Sequence, residues 1–177
     1  SRGLGDVYKR QSSNNPKYDY LWMMKYYFMN DAYERGLLSE NVVWMDFGFD
    51  HGGITYSDAE DYNFLWEYDF KNKIHISCLH DPDSVIGMQS LQFQDDCVMG
   101  CMYGLSRELV PTFWHLVEDA MNALLMLDCM DDDQQLVLMA YKARPEIFEV
   151  HVTDWQMIMK EMGATHMLSL IHISEPT

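Results

Sequence analysis

Asp46, Asp50 and His51 fall in one short stretch, interleaved with Gly48, Gly52 and Gly53. Two carboxylates and an imidazole on a glycine-containing loop can converge on one hard divalent cation, Mn²⁺ or Mg²⁺, which in turn can hold phosphate oxygens. The plainer reading of the same residues is a turn, with Asp46 as its cap and Asp50 and His51 solvated, because Asp and Gly are common turn formers. Asp131-Asp132-Asp133, followed by Gln134, has the same two readings. It can present acid and amide groups to a ligand, or it can cap a helix and place negative charge at the positive end of its dipole. Cys78, His80, Cys97 and Cys101 could in principle bind zinc, but neither spacing is that of a zinc ribbon or finger, so reduced and partly buried thiols are expected.

The elements that must position these groups read as follows. Asn15-Pro16 is a helix start, with an N-cap residue followed by proline at the first helical position. Tyr18, Leu21, Met24, Phe28 and Ala32 then recur at spacings of three and four, predicting a core-facing stripe, and Gly36 is the expected stop. Asn41 to Met45 is apolar and β-branched on consecutive positions, as in a strand buried on both faces, and it runs directly into Asp46. A buried strand ending abruptly in acids and glycines is how an α/β sheet presents a site at its carboxyl edge.

Ile74 to Cys78, Ser90 to Phe93 and Cys97 to Tyr103 are further expected strands, the last ending at Gly104. Leu109, Phe113, Leu116, Ala120, Leu124 and Leu127 predict a long amphipathic helix, starting nearer Val110 than Ser106 because Pro111 would break an interior hydrogen bond. A second helix is expected over Gln134 to Ala143, stopping before Pro145, and a last strand over Phe148 to Val152. With no repeat, low-complexity segment or linker, this predicts one domain of mixed α/β type.

The two ends carry a different signal. Codons CTG TCT CTT ATA CAC ATC TCC GAG CCC ACG encode Leu168 to Thr177, and their reverse complement encodes Arg2 to Gln11. This shared solution resembles the mosaic-end adapter of transposon-based sequencing libraries. Residues 1–11 and 168–177 are therefore expected to be cloning scar and are left out of fold reasoning. Residues 12–167 are then expected to be one domain, an internal fragment of a longer open reading frame. The tails carry Arg2, Lys9 and Arg10 against Asp6 and Glu175, so removing them takes the net charge from −16 to −17. Such an acidic surface argues against nucleic acid or anionic membrane as a partner. No run approaches the apolar length of a membrane span, and the expected setting is soluble and cytoplasmic.

Asn15-Pro16-Lys17-Tyr18, a helix containing Lys25, and Val43-Trp44-Met45-Asp46-Phe47-Gly48-Phe49-Asp50-His51 together resemble the core of the bacterial HtrL/YibB-like proteins. That family is associated with lipopolysaccharide and capsule synthesis and is regarded as glycosyltransferases. Met99 to Gly104, a long helix, Asp132-Asp133-Gln134 and Pro145 to Phe148 are similar to its second half and to many GT-A glycosyltransferases. The resemblance implies a GT-A-like mixed sheet flanked by helices, with the N-terminal nucleotide-binding strands missing upstream of Ser12. It implies a nucleotide-sugar donor and a cell-surface glycan acceptor as partners, and Mn²⁺ or Mg²⁺ as cofactor.

Carried onto this sequence, the resemblance puts Asp46 in the place of the DxD aspartate, against metal and diphosphate, with Lys25 and Gly48 also at the cofactor. Gly48 stands where a DxD motif has its second acid, so Asp50 or His51 would supply that ligand. Asp133 and Gln134 would face the donor sugar or the acceptor, Asp133 as candidate general base. His151 is a candidate metal ligand from the final strand, although a lone strand histidine is more often a satisfied residue. Trp44 and Trp155 are candidate stacking residues whose plainer reading is core. Two other classes compete. One is a metal-dependent phosphohydrolase with Asp46 as nucleophile, which would need a downstream lysine followed by an acidic pair, whereas none of Lys71, Lys73, Lys142 and Lys160 precedes such a pair at helical spacing. The other is a non-catalytic acidic interaction domain. Residues 12–167 alone are expected to be poorly stable, with an exposed sheet edge, and inactive.

Overall fold

The computed structural model describes residues 16–47, 64–65, 68–87, 97–154 and 165–166. Helix α1 (Pro16–Glu34) begins on proline, whose missing N–H costs nothing in a first turn. The chain leaves it through Gly36, at φ 66°, the left-handed region that only glycine enters without strain. The expected stop is therefore found. Asn15 and the expected strand at Ser90 to Phe93 lie outside the described residues.

The buried face of α1 is not the one its spacing predicts. Leu21 is 64% exposed and Phe28 49% exposed, whereas Met23, Lys25, Tyr26, Met29 and Asn30 are buried. The helix is apolar nearly all round from Tyr20 to Met29, so periodicity offers no single stripe. Packing against the helix that follows the sheet decides the face, and it places Tyr26 edge-on to Phe113 with ring centroids 5.2 Å apart.

Strands β1 (Asn41–Met45), β3 (Ile74–Cys78), β4 (Met102–Ser106) and β5 (Phe148–Val152) form a sheet in the order β1-β4-β3-β5. A separate two-stranded ladder joins β2 (Phe64–Leu65) to β6 (Thr165–His166), so β5 is not the last strand. β4 is antiparallel to both β1 and β3, and β3 is parallel to β5. Strands β1, β3 and β5 consequently run in one direction, and their carboxyl ends share one edge. Helices α2 (Val110–Met126) and α3 (Asp133–Ala143) complete the fold, α2 preceded by a 3₁₀ turn at Arg107–Leu109 that keeps Pro111 in its first turn.

Ile74, Ile76, Tyr103, Leu105 and Phe148 join Val110, Phe113, Val117, Leu136 and Val137 in the core. Alternation then sends His75 and Ser77 to the reverse face of β3, where they are also buried. On that face Phe70 corrects the expected end of β4. Gly104 does not stop the strand, which continues to Ser106. A Cβ on Gly104 would lie 2.3 Å from the Phe70 ring, so glycine is needed for close approach of a side chain, not for a turn. The strand expected from Cys97 begins only at Met102, and upstream of it the ladder is a single bridge between Cys78 and Val98.

Candidate functional site

Four segments meet at the carboxyl edge of β1. Helix α1 supplies Lys25, the exit of β1 supplies Asp46, the entry to β4 supplies the Gly100 carbonyl, and the first turn of α3 supplies Asp133. Lys25 Nζ lies 2.7 Å from Asp133 Oδ2 and donates to the Gly100 carbonyl at 2.7 Å and to Asp46 Oδ2 at 3.4 Å. The side chains of Lys25 and Asp133 are 3% and 4% exposed, that of Asp46 20%. A buried ammonium must find this many acceptors, because a charge removed from water without partners is prohibitively costly.

Asp133 is held from the other side by phenols. The Tyr26 hydroxyl donates to the Tyr103 hydroxyl at 2.8 Å, and the Tyr103 hydroxyl donates to Asp133 Oδ2 at 3.1 Å. Burial pushes both phenols well above their ordinary pKa. Burial also raises the Asp133 carboxyl, with Lys25 acting in the opposite sense. Gly100 is required by the same packing, since a Cβ there would sit 2.8 Å from Asp133 Oδ2. Asp132 is the N-cap of α3, accepting from the Gln134 and Gln135 amides at 3.1 and 3.4 Å. The two readings of this acidic run are therefore divided between neighbours: Asp132 caps, and Asp133 points into the cluster.

Asp46 is clamped between two donors. Trp44 Nε1 donates to its Oδ1 at 2.7 Å while Lys25 engages Oδ2, and its backbone amide donates to the Cys101 carbonyl at 2.8 Å. Trp44 thus serves as a hydrogen-bond donor. The Cys101 thiol beside this group is pushed up to about 11, first by burial and then by the Asp46 charge. Trp22, one turn before Lys25 and half-buried, has its ring centroid 4.4 Å from the ammonium.

Of the residues expected from sequence, the structure brings Lys25, Asp46 and Asp133 together. It places Lys25 and Asp133 in the interior and leaves Asp46 as the member that solvent reaches. Gln134 Oε1 is buried with no hydrogen-bond partner. Gly48, Asp50, His51 and Trp155 lie outside the described residues. Tyr26 and Trp22 had no signal in the sequence, since an aromatic in an apolar helix reads as core, and Gly100 and Tyr103 were noted only as part of the Met99 to Gly104 stretch, with no role assigned to either.

Of the acids in the cluster only Asp46, with its side chain 20% exposed, is within reach of solvent. Lys25 is matched by Asp133, so one negative charge remains, on the exposed Asp46. Among the described residues no three His, Cys, Asp or Glu side chains are placed to hold a metal.

His151 is found away from this edge. Its Nε2 lies 2.8 Å from His75 Nδ1, and His75 Nε2 lies 3.0 Å from the Phe70 carbonyl. A carbonyl can only accept, so the His75 proton is on Nε2 and its bare Nδ1 accepts from His151 Nε2–H. With centroids 5.1 Å apart and planes at 26°, the rings meet head-on, not with lone pairs converging on a common point.

These elements define a mixed α/β domain with a buried lysine–carboxylate cluster at the carboxyl edge of its sheet. The chain belongs to the HtrL_YibB family, described as a bacterial protein of unknown function, which matches residues 5–162. Protein HtrL of Escherichia coli (strain K12) is 26% identical over 145 residues, covering 77% of this chain and 49% of that protein. The chain thus spans about half the length of the curated relative it matches. No solved structure is a significant match. No helix among the described residues is long and apolar enough to cross a membrane.

Proposed function

We propose that this chain carries the donor-binding part of a GT-A-like glycosyltransferase that moves a sugar from a nucleotide-sugar to a cell-surface glycan, such as lipopolysaccharide or capsule, from the cytoplasmic side. The observation that carries the reading is Asp46. It is the one partly exposed acid of an otherwise buried charge cluster, it stands just past the carboxyl end of a sheet strand, and donors on both sides fix its carboxylate. Ligands of α/β sheets bind beyond this edge, and a clamped carboxylate suits either sugar hydroxyls or one ligand position of Mn²⁺ or Mg²⁺. Gly48, Asp50 and His51 follow directly in sequence and are the proposed remaining contacts to cofactor and metal.

Cleavage of the bond between sugar and diphosphate builds negative charge on the leaving phosphate, and a bound divalent ion supplies compensating charge there. The chain's own residues supply position. Lys25 and Trp44 hold Asp46, and Asp133 with the two phenols holds Lys25. Asp133, read from sequence as a general base, is in this proposal a positioning residue, because it is buried and already accepts from Lys25 and Tyr103. Gln134, one residue on, is the group of that helix start with a spare acceptor for a sugar hydroxyl.

Thermal unfolding with Mn²⁺ and UDP, GDP, ADP or CDP tests the reading. One of the diphosphates is expected to raise Tm in the wild-type chain and to do so much less in Asp46→Asn. Stabilisation unchanged in Asp46→Asn removes Asp46 from the site, and no response to any diphosphate favours a non-catalytic interaction domain.

A further inference from the structure

Cys78 closes β3, and Cys97 opens the segment that leads through Gly100 and Cys101 into β4. The two backbones are held together beside these thiols: Cys78 is bridged to Val98, and the Leu79 amide donates to the Cys97 carbonyl at 2.8 Å. Paired backbones lie about 4.8 Å apart, within the roughly 4.4–6.8 Å between Cα atoms that a disulfide spans. The ladder here is a single bridge, so the alternation of a regular strand does not separate the two side chains. Both are reduced thiols, both are wholly buried, and both belong to the same hydrophobic core. The Cys78 thiol shares a hydrogen bond with that of Cys97, and this bond, followed by burial, pushes the Cys78 pKa far up.

A thiol so protected is not a thiolate near neutral pH, and the thiolate is the form that attacks a disulfide. Oxidation therefore waits until the segment at Cys97 parts from β3, and its return brings the sulfurs together. We propose that Cys78 and Cys97 are a redox pair whose disulfide staples the entry of β4 to the end of β3. The oxidant is a low-molecular-weight disulfide such as glutathione disulfide. Two protein S–H bonds and the S–S bond of the oxidant break, one protein S–S bond forms, and the oxidant leaves as two thiols that carry both protons and both electrons. The stapled segment holds two acceptors of the charge cluster, the Gly100 carbonyl for Lys25 and the Cys101 carbonyl for the Asp46 amide. The pairing stands whether or not the chain is a transferase.

The test uses the whole chain carrying Cys129→Ser, which removes the exposed thiol. It is equilibrated with glutathione disulfide, alkylated in denaturant and mapped by mass spectrometry without reduction. The expected product joins the Cys78 and Cys97 peptides, two hydrogens lighter than the dithiol, with Cys101 alkylated, and dithiothreitol should reverse it. It should form at least about tenfold more slowly than glutathione attaches to Cys129 in the wild type, because a buried thiol reacts only on opening. The cross-link should raise the urea midpoint, since it closes the stretch between residues 78 and 97 in the unfolded chain. Cys97→Ser should abolish the midpoint shift that glutathione disulfide produces.

Cys78 and Cys97 both found alkylated after oxidation overturn the pairing, as does a bond from either of them to Cys101 in their place. An unchanged urea midpoint in the cross-linked chain overturns the staple. Mapping reads the Cys129→Ser chain directly, so the pairing is decided even where Cys97→Ser fails to fold.

Discussion

Lys25 and Asp133 stand 2.7 Å apart, one on α1 and the other at the head of α3, with almost no exposure to solvent. Each is the reason the other can be buried. Asp46, 3.4 Å from the same ammonium, is therefore free to serve as the outward member of the group.

The pair should behave non-additively under mutation. Lys25→Met leaves the Asp133 carboxylate with phenols alone, and Asp133→Leu leaves Lys25 with the weaker partner at 3.4 Å. Each single change is expected to cost about 3–5 kcal/mol, the usual cost of stranding a buried charge. Lys25→Met combined with Asp133→Leu should cost clearly less than the sum. Urea unfolding of the four proteins measures the coupling, and additive losses would show that the pair is not a unit.

Asp133 also gives the fold a pH dependence of definite sign. Burial raises its carboxyl above the unfolded value, so the native chain holds this proton to higher pH than the unfolded chain does. Its contribution to stability is complete below the unfolded pKa of about 4 and is lost as pH rises through the raised native value. Unfolding free energies of wild type minus Asp133→Asn should therefore fall with rising pH across that window. A difference that rises with pH would mean that Lys25 outweighs burial.

How much of this the sequence could disclose depended on the kind of force at each position. Asn41 to Met45 running into Asp46 was legible as a strand and its exit, but not its burial: β1 is the edge strand of the sheet, with Val42 buried and Val43 and Met45 exposed, so an apolar run read as covered on both faces is covered on one. The start of α2 was legible because Pro111 admits few placements. The face of α1 was not, since nine of its ten residues from Tyr20 to Met29 are apolar or aromatic and only tertiary packing chooses among them. Gly104 was misread for a related reason: its requirement comes from Phe70, far away in sequence, whose ring occupies the space of a Cβ. Asp46 was a candidate from its place in an acid- and glycine-rich loop after a strand and Lys25 through family resemblance, but their contact with each other, and the phenols behind Asp133, arise only when α1, β4 and α3 meet.

The two close-packed glycines should differ in tolerance. A methyl at Gly100 meets a carboxylate fixed by Lys25 and Tyr103, and one at Gly104 meets a buried ring at 2.3 Å. Overpacking of this kind costs about 1–3 kcal/mol, and Gly104→Ala should lie at the upper end. The Gly104→Ala penalty should shrink when Phe70 is first changed to Leu, because the obstructing ring is then gone. An equal penalty in both backgrounds, measured by thermal and urea unfolding, would place the strain elsewhere.

The reverse face of the sheet should respond to acid. Burial lowers the pKa of His75, and Glu149 and the Phe70 carbonyl only partly oppose this, while His151 and Lys71 add to it. A histidine depressed in the native state stabilises the fold above its unfolded pKa of about 6.5, and that stability is lost as pH falls through the lower native value. Protonating His75 at Nδ1 would also remove the acceptor that His151 Nε2–H uses at 2.8 Å, a side-chain contact between β3 and β5. Wild-type stability relative to His75→Gln should hold above about pH 6.5 and decline below it. Denaturant midpoints at stepped pH read this directly, and a difference that grows on acidification would mean that the fold favours protonated His75 and that burial does not dominate.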